Sequence, residues 1–180
     1  MIPAPEGYAW PPGTGWAWRP GLSASPVPLW PAREVPSGEA IAGPVKAFHD
    51  GGAAVAPHTD GFAIWGTGGE FLSLVVDLPG DGAAHLSSRH ILTVAGRAAL
   101  KGERTLYARL NVRHGPNTAQ QTRGARIEDG LLLAEFDLAY LDLRHAILSA
   151  GWVDLIVDDP RGICLSVTDL TLSHRPRAEL

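Results

Sequence analysis

The chain is short of charge, of cysteine and of long apolar runs, and each shortage removes a class of function. A single cysteine, Cys164, excludes an internal disulfide, and within Ile163-Cys164-Leu165 it reads as a small buried hydrophobe. Fifteen Lys and Arg stand against nineteen Asp and Glu, a net charge of −4, with no run of one sign. Nucleic-acid binding needs a basic face to offset phosphate charge, so that class drops out. No stretch approaches the roughly 18 apolar residues of a membrane span, and membrane insertion is not expected. The start, MIPAPEGYAW, has neither a basic nor an apolar leader region, so folding in a reducing cytoplasm without a secretory signal is expected. Catalytic motifs are missing as well. There is no Gly-x-Ser-x-Gly elbow and no His-Glu-x-x-His helix, and the seven histidines are scattered. Gly66-Thr67-Gly68-Gly69 lacks the lysine of a phosphate loop and reads as a hairpin turn.

What is present falls into two parts. Residues 1–44 hold ten of the fifteen prolines and four of the six tryptophans, Trp10, Trp16, Trp18 and Trp30. Proline fixes φ and removes a donor, so this arm is expected to be extended, with neither a regular helix nor a central strand. Disordered tails are poor in aromatics, so the arm is expected to lie against something. Two readings stay open: it crosses its own domain, or it docks on a neighbouring subunit. Residues 45–180 are expected to form the domain proper, and a chain of 180 residues is large enough to bury roughly 70% of its unfolded surface without a staple.

That part reads as short strands broken by glycine and proline. Phe71 to Leu78 is a strand ended by the turn Pro79-Gly80-Asp81-Gly82, and His90 to Val94 follows. In Leu106 to Arg113 the alternation turns Leu106, Ala108, Leu110 and Val112 inward, and Tyr107, Arg109, Asn111 and Arg113 outward. Leu132 to Leu138, Trp152 to Asp158 and Ile163 to Ser173 complete the strands. Leu143 to Ala150, stopped by Gly151, is the one helical candidate. Many strands at short spacing predict an all-β, antiparallel β-sandwich or jelly roll.

The segment Arg113 to Arg123 reads as a polar loop on this scaffold. Its His114, Asn117, Gln120 and Gln121, with the row Tyr107, Arg109, Asn111 and Arg113, form the candidate surface for a partner or a glycan. Amide and guanidinium groups suit bidentate contacts with hydroxyls and carbonyls. Tyr107 and Trp65 are the candidate aromatic platform, although aromatics on strands also serve as core. Glu135 with Asp137, and Asp154 with Asp158 on a strand expected to neighbour theirs, have the spacing of paired acids, which is also that of a solvated strand face. No cofactor is expected. Asp50 and Asp169 are the strand-end candidates for a structural calcium ion.

Phe71 to Pro79, Ala108 to Thr118, Glu135 to Tyr140, Trp152 to Ile156 and the closing Asp169-Leu170-Thr171-Leu172-Ser173-His174-Arg175-Pro176-Arg177-Ala178-Glu179-Leu180 resemble an uncharacterised alphaproteobacterial family. Trp16-Ala17-Trp18-Arg19-Pro20 resembles an element of it too. Short members resemble head-spike components of phage-like gene transfer agent particles. That resemblance implies a non-catalytic adhesion module, homo-oligomeric, partnered with capsid or spike-fibre protein and touching cell-surface polysaccharide after release by lysis. Leu165 to Leu172 is similar to the closing strand of galactose-binding-like jelly rolls. The alternatives are an isolated carbohydrate-binding module of an envelope polysaccharide pathway, and a sugar-active enzyme using Glu135, Asp137 and Asp154.

Overall fold

The structure, a computed structural model, describes residues 1–22, 32–58, 60–143 and 148–178. In chain order it forms β1 (Trp16–Trp18), β2 (Arg33–Glu34), β3 (Glu39–Ala42), β4 (Val45–His49), β5 (Ala53–His58), β6 (Gly61–Gly66) and β7 (Phe71–Asp77). A short helix α1 (Gly80–Ala84) leads to β8 (His90–Lys101), β9 (Leu106–His114), β10 (Asn117–Gly124), β11 (Arg126–Glu128) and β12 (Leu131–Asp137). A 3-10 turn at Leu138–Tyr140 precedes β13 (Leu148–Asp158) and β14 (Cys164–Pro176). Two antiparallel sheets face each other. One runs β11-β12-β8-β14-β6-β5-β2, with β1 also on β14; the other runs β10-β9-β13-β7-β4-β3. The molecule is a β-sandwich. None of its described helices is long and apolar enough to cross a membrane.

Alternation sets the core. Leu106, Ala108, Leu110 and Val112 are all at most 3% exposed, and they meet Leu72, Leu74, Val153 and Leu155 from the same sheet and Leu92, Val94, Phe136 and Leu172 from the other. Asp129-Gly130 joins β11 to β12 with φ of 50° and 77°, the doubly left-handed turn that matches strand twist.

Several local expectations change. The turn at Pro79 opens α1, because Pro79 O accepts the amides of Gly82 and Ala83 and proline is well placed at a helix start. The supposed helix 143–150 fails at its C-terminal end, where Leu148, Ser149 and Ala150 begin β13; residues 144–147 lie outside the described residues. The turn 66–69 is no hairpin, since it carries the chain from β6 in one sheet to β7 in the other. Arg113 to Arg123 is no loop either: it is the β9–β10 hairpin, turning only at Gly115 and Pro116. Cys164 is half-buried rather than buried, because it alternates with the inward Leu165; partial burial still pushes its thiol up.

The described part of the arm is woven into the sandwich. β2 pairs with β5 and β3 with β4. Residues before β1 cover the outer face of the larger sheet. Tyr8 is hydrogen-bonded with Thr93, and burial, then the nearby Glu135 carboxylate, raise its pKa. Arg19 clamps Asp169 at 2.9 Å. Trp10 donates to Ile2 O at 3.0 Å and meets Tyr8 edge-on. Thr93, Thr171 and Ser173, although polar, are therefore almost fully buried. Trp16 and Trp18 pack against the core beside β14. Trp30 lies outside the described residues.

Trp16 stacks on His174 with ring centroids 5.5 Å apart, and His90 lies 4.5 Å away on another side. Both His174 ring nitrogens are buried without a hydrogen-bond partner among the described residues. Burial, and after it His90 and His85, lower its pKa to about 4. A histidine depressed on folding binds its proton more readily when unfolded, so its stability is intact above about pH 6.5 and declines as pH falls toward 4. His174→Phe is expected to recover about 2 kcal/mol at pH 4.5 relative to pH 7.5. Thermal melts of both proteins at the two pH values check this, and equal acid sensitivity would remove His174 as a cause.

Candidate functional site

With one outer face partly covered by the arm, the other lies open. Strand register builds it row by row. Gln120, Asn111, Trp152 and Asp77 align across β10, β9, β13 and β7. Thr122, Arg109, Asp154, Val75 and Lys46 form the next row, ending on β4, and Tyr107, Ile156, Ser73 and Phe48 the third. Asp158 and Phe71 close the end. All of these side chains except Thr122 and Tyr107 line an open groove of about 750 Å³.

Its floor is a polar network. Asp154, only 2% exposed, accepts from Arg109 Nε at 2.7 Å and from Asn111 Nδ2 at 3.1 Å. Asn111 Oδ1 in turn accepts from Gln120 Nε2 at 2.8 Å. The chain of bonds holds three amide and carboxylate groups in fixed rotamers, the condition for selective hydrogen bonding to a ligand. Lys46 meets Asp77 at 2.7 Å, so much of the groove's charge is paired internally. The Arg113 guanidinium lies 5.9 Å from the Trp152 ring centroid, a cation–π contact. Ser73 Oγ is buried without a partner among the described residues.

The walls are aromatic. Phe48 and Phe71 are 38% and 37% exposed, a large apolar area to leave in water. Trp152 stands at one end of the groove and Phe71 at the other, six residues along β7 from Trp152's partner Asp77, or about 20 Å by strand rise.

The sequence-selected residues divide. Arg109, Asn111, Arg113 and Gln120 line the groove. Asn111 is not the exposed residue expected; it is 1% exposed because Gln120 and Asp154 close over it. Gln121 turns inward by alternation and donates to Asp137 O at 3.3 Å, which removes it from the outer surface. His114 and Asn117 pair at the hairpin mouth, and Tyr107 is half-buried outside the groove lining. Trp65 stands on the other sheet, so it shares no platform with Tyr107. The four acids do not lie on neighbouring strands. Glu135 and Asp137 project from the larger sheet, where Arg175 and Arg177 meet them, while Asp154 and Asp158 line the groove. Asp169 is engaged by Arg19, and Asp50 accepts the amides of Glu70 and Phe71, the second of which lowers its pKa most. Among the described residues no three metal-ligating side chains come together.

Phe48, Phe71 and Trp152 escaped the sequence reading, although each shares the parity of its strand's polar residues. Lys46 marks it for Phe48, Ser73 and Asp77 for Phe71, and Asp154 and Asp158 for Trp152. An apolar residue in a polar register was the available signal.

A family model described as "Family of unknown function (DUF6478)" matches residues 4–180. No curated protein matches the chain. Among solved structures, the Stig cyclase Fisc from Fischerella sp. TAU is 10% identical, with 91% of this chain and 100% of that one covered and a TM-score of 0.49. The enzymatically active domain of Bacteriophage CBA120 tailspike protein 4 is 10% identical over 71% of this chain and 17% of that one, with a TM-score of 0.34. TmCBM61, in complex with beta-1,4-galactotriose, is 14% identical over 83% and 91%, with a TM-score of 0.31.

Proposed function

For a chain that belongs to the DUF6478 family, a family of unknown function, we propose a non-catalytic binding module whose groove on the six-stranded sheet takes a segment of polysaccharide. The observation that carries this is the combination of exposed Phe48 and Phe71, with Trp152, around the Gln120–Asn111–Asp154–Arg109 network. Sugar rings offer apolar C–H faces that stack on aromatics, and hydroxyl edges that pair with amides, carboxylates and guanidinium groups. The open, elongated shape suits a chain better than a small compact ligand. Asp154 is held by two donors, which supports a positioning role rather than acid–base work.

In its specific form the module is a capsid-attached spike component of a gene-transfer-agent-like particle, contacting polysaccharide on a recipient cell. The support for that form is the sequence resemblance, strongest at residues 169–180. Antibody detection of the protein on purified particles is its test, and absence from them leaves the isolated carbohydrate-binding module.

Titration calorimetry against purified capsular and envelope polysaccharides tests the groove itself. Trp152→Ala is expected to weaken binding about tenfold, near 1.4 kcal/mol. Glu135→Gln, on the opposite face, is expected to leave it unchanged. Polysaccharide binding that ignores Trp152, or no binding to any glycan, overturns the reading.

A further inference from the structure

We propose that β10 is a dimerisation edge, pairing antiparallel with β10 of a second copy about Gln120 and joining two six-stranded sheets into one. The other described sheet edges are short: β11 has three residues, β2 two and β3 four. Short edges are a common protection against strand addition. β10 runs eight residues, mostly exposed, with no proline or lysine and one charge, Arg123. Among the described residues its only strand partner is β9.

Self-complementarity selects the partner. Residues directly opposite in an antiparallel pair share a face, so a two-fold axis must pass at a residue, not between two. About Gln120 it sets Thr118 opposite Thr122, Ala119 opposite Gln121 and Asn117 opposite Arg123. The outward row Thr118-Gln120-Thr122 reads the same in both directions, giving two Thr–Thr pairs around a Gln–Gln pair, with no like charges opposed. An unrelated partner strand would require no such symmetry; a second copy does.

The axis stands perpendicular to the sheet, so both grooves open on the same side. The two β13 strands then lie five strand spacings apart, about 24 Å. A polymer held in both grooves gains avidity with no new contact. The dimer stands or falls independently of what the groove binds.

Light scattering across a concentration series tests the pairing. The expected mass is twice 19.1 kDa at high concentration, falling toward one copy on dilution. Thr118→Lys with Thr122→Lys sets ammonium groups opposite each other twice and is expected to weaken association at least tenfold. Circular dichroism checks that the variant keeps its fold. Gln120→Cys in a Cys164→Ser background is expected to cross-link to its own copy under mild oxidation, since residues opposite in an antiparallel pair have Cα atoms about 4.5–5.5 Å apart. Asn117→Cys, standing opposite Arg123, is not. A single-copy mass at every concentration overturns the proposal, as does a dimer that tolerates both lysines or cross-links equally at positions 117 and 120.

Discussion

A chain beginning at Val45 is expected to be unfolded at 25 °C. The segment removed contains Leu22, Val35 and Ile41, which are 6%, 3% and 0% exposed, together with the fully buried Ala42. Burying a Leu, Val or Ile side chain contributes about 1.5–3 kcal/mol, so the three are worth roughly 5–9 kcal/mol. Whole domains are stable by about 5–15 kcal/mol, so such a loss takes about half or more of the stability of a mid-range domain and all of that of a marginal one. The truncation also strips β3 from β4 and lifts Trp16 from His174. Far-UV circular dichroism and urea titration of the shortened chain decide the matter. A cooperative transition near the full-length midpoint would show that residues 45–180 fold unaided and that the arm is an appendage. Loss of the transition would show that the arm completes the core, so an arm-deletion phenotype could not be read as lost assembly.

Asp154→Ala is expected to be the most damaging single change in the groove. It leaves Arg109 and Asn111 facing an empty site, and removing one partner of a fully buried ion pair costs about 3–5 kcal/mol. Arg109 keeps 38% of its side chain exposed and is hydrated there, so the expected cost is nearer 2 kcal/mol. In a chain of this size that lowers Tm by about 6 °C. Asp154→Asn preserves shape and one acceptor, and is expected to cost about half as much. If the floor also orders a sugar, both variants weaken glycan binding by more than their stability loss explains. Scanning calorimetry and glycan titration on the same preparations separate the two effects. Equal stability of Asp154→Ala and wild type would show that the network is incidental.

Two of the strands that position the groove, β9 and β13, were legible because each carries two-residue alternation. Leu106 to Arg113 and Trp152 to Asp158 sorted their side chains correctly between the inner and outer faces of the sheet, although Asn111 and Asp154 are buried within the outer one. Alternation names the face of a strand but not its neighbour, so Glu135 and Asp154 were placed together when the sheets set them on opposite outer surfaces. Polar composition misled in the same way at Arg113 to Arg123. A run of amides and hydroxyls reads as a loop until β9 offers a ladder to satisfy its backbone. The residues 148–150 had helix-compatible side chains, but pairing with β9 drew them into β13.

Alternation and composition were enough to specify a nearly all-β chain, the inward side chains of its longer strands and a polar row on β9. Which outer face stays open depends on how the arm and the two sheets pack together. Thr93, Thr171 and Ser173 are polar by type and are buried, while Phe48 and Phe71 are apolar by type and are exposed. Parity puts both sets on an outer face, and no local pattern says which outer face is covered. The decision is made by contacts such as Tyr8 on Thr93 and Arg19 on Asp169, which join residues 85 and 150 positions apart and exist only once both sheets have formed.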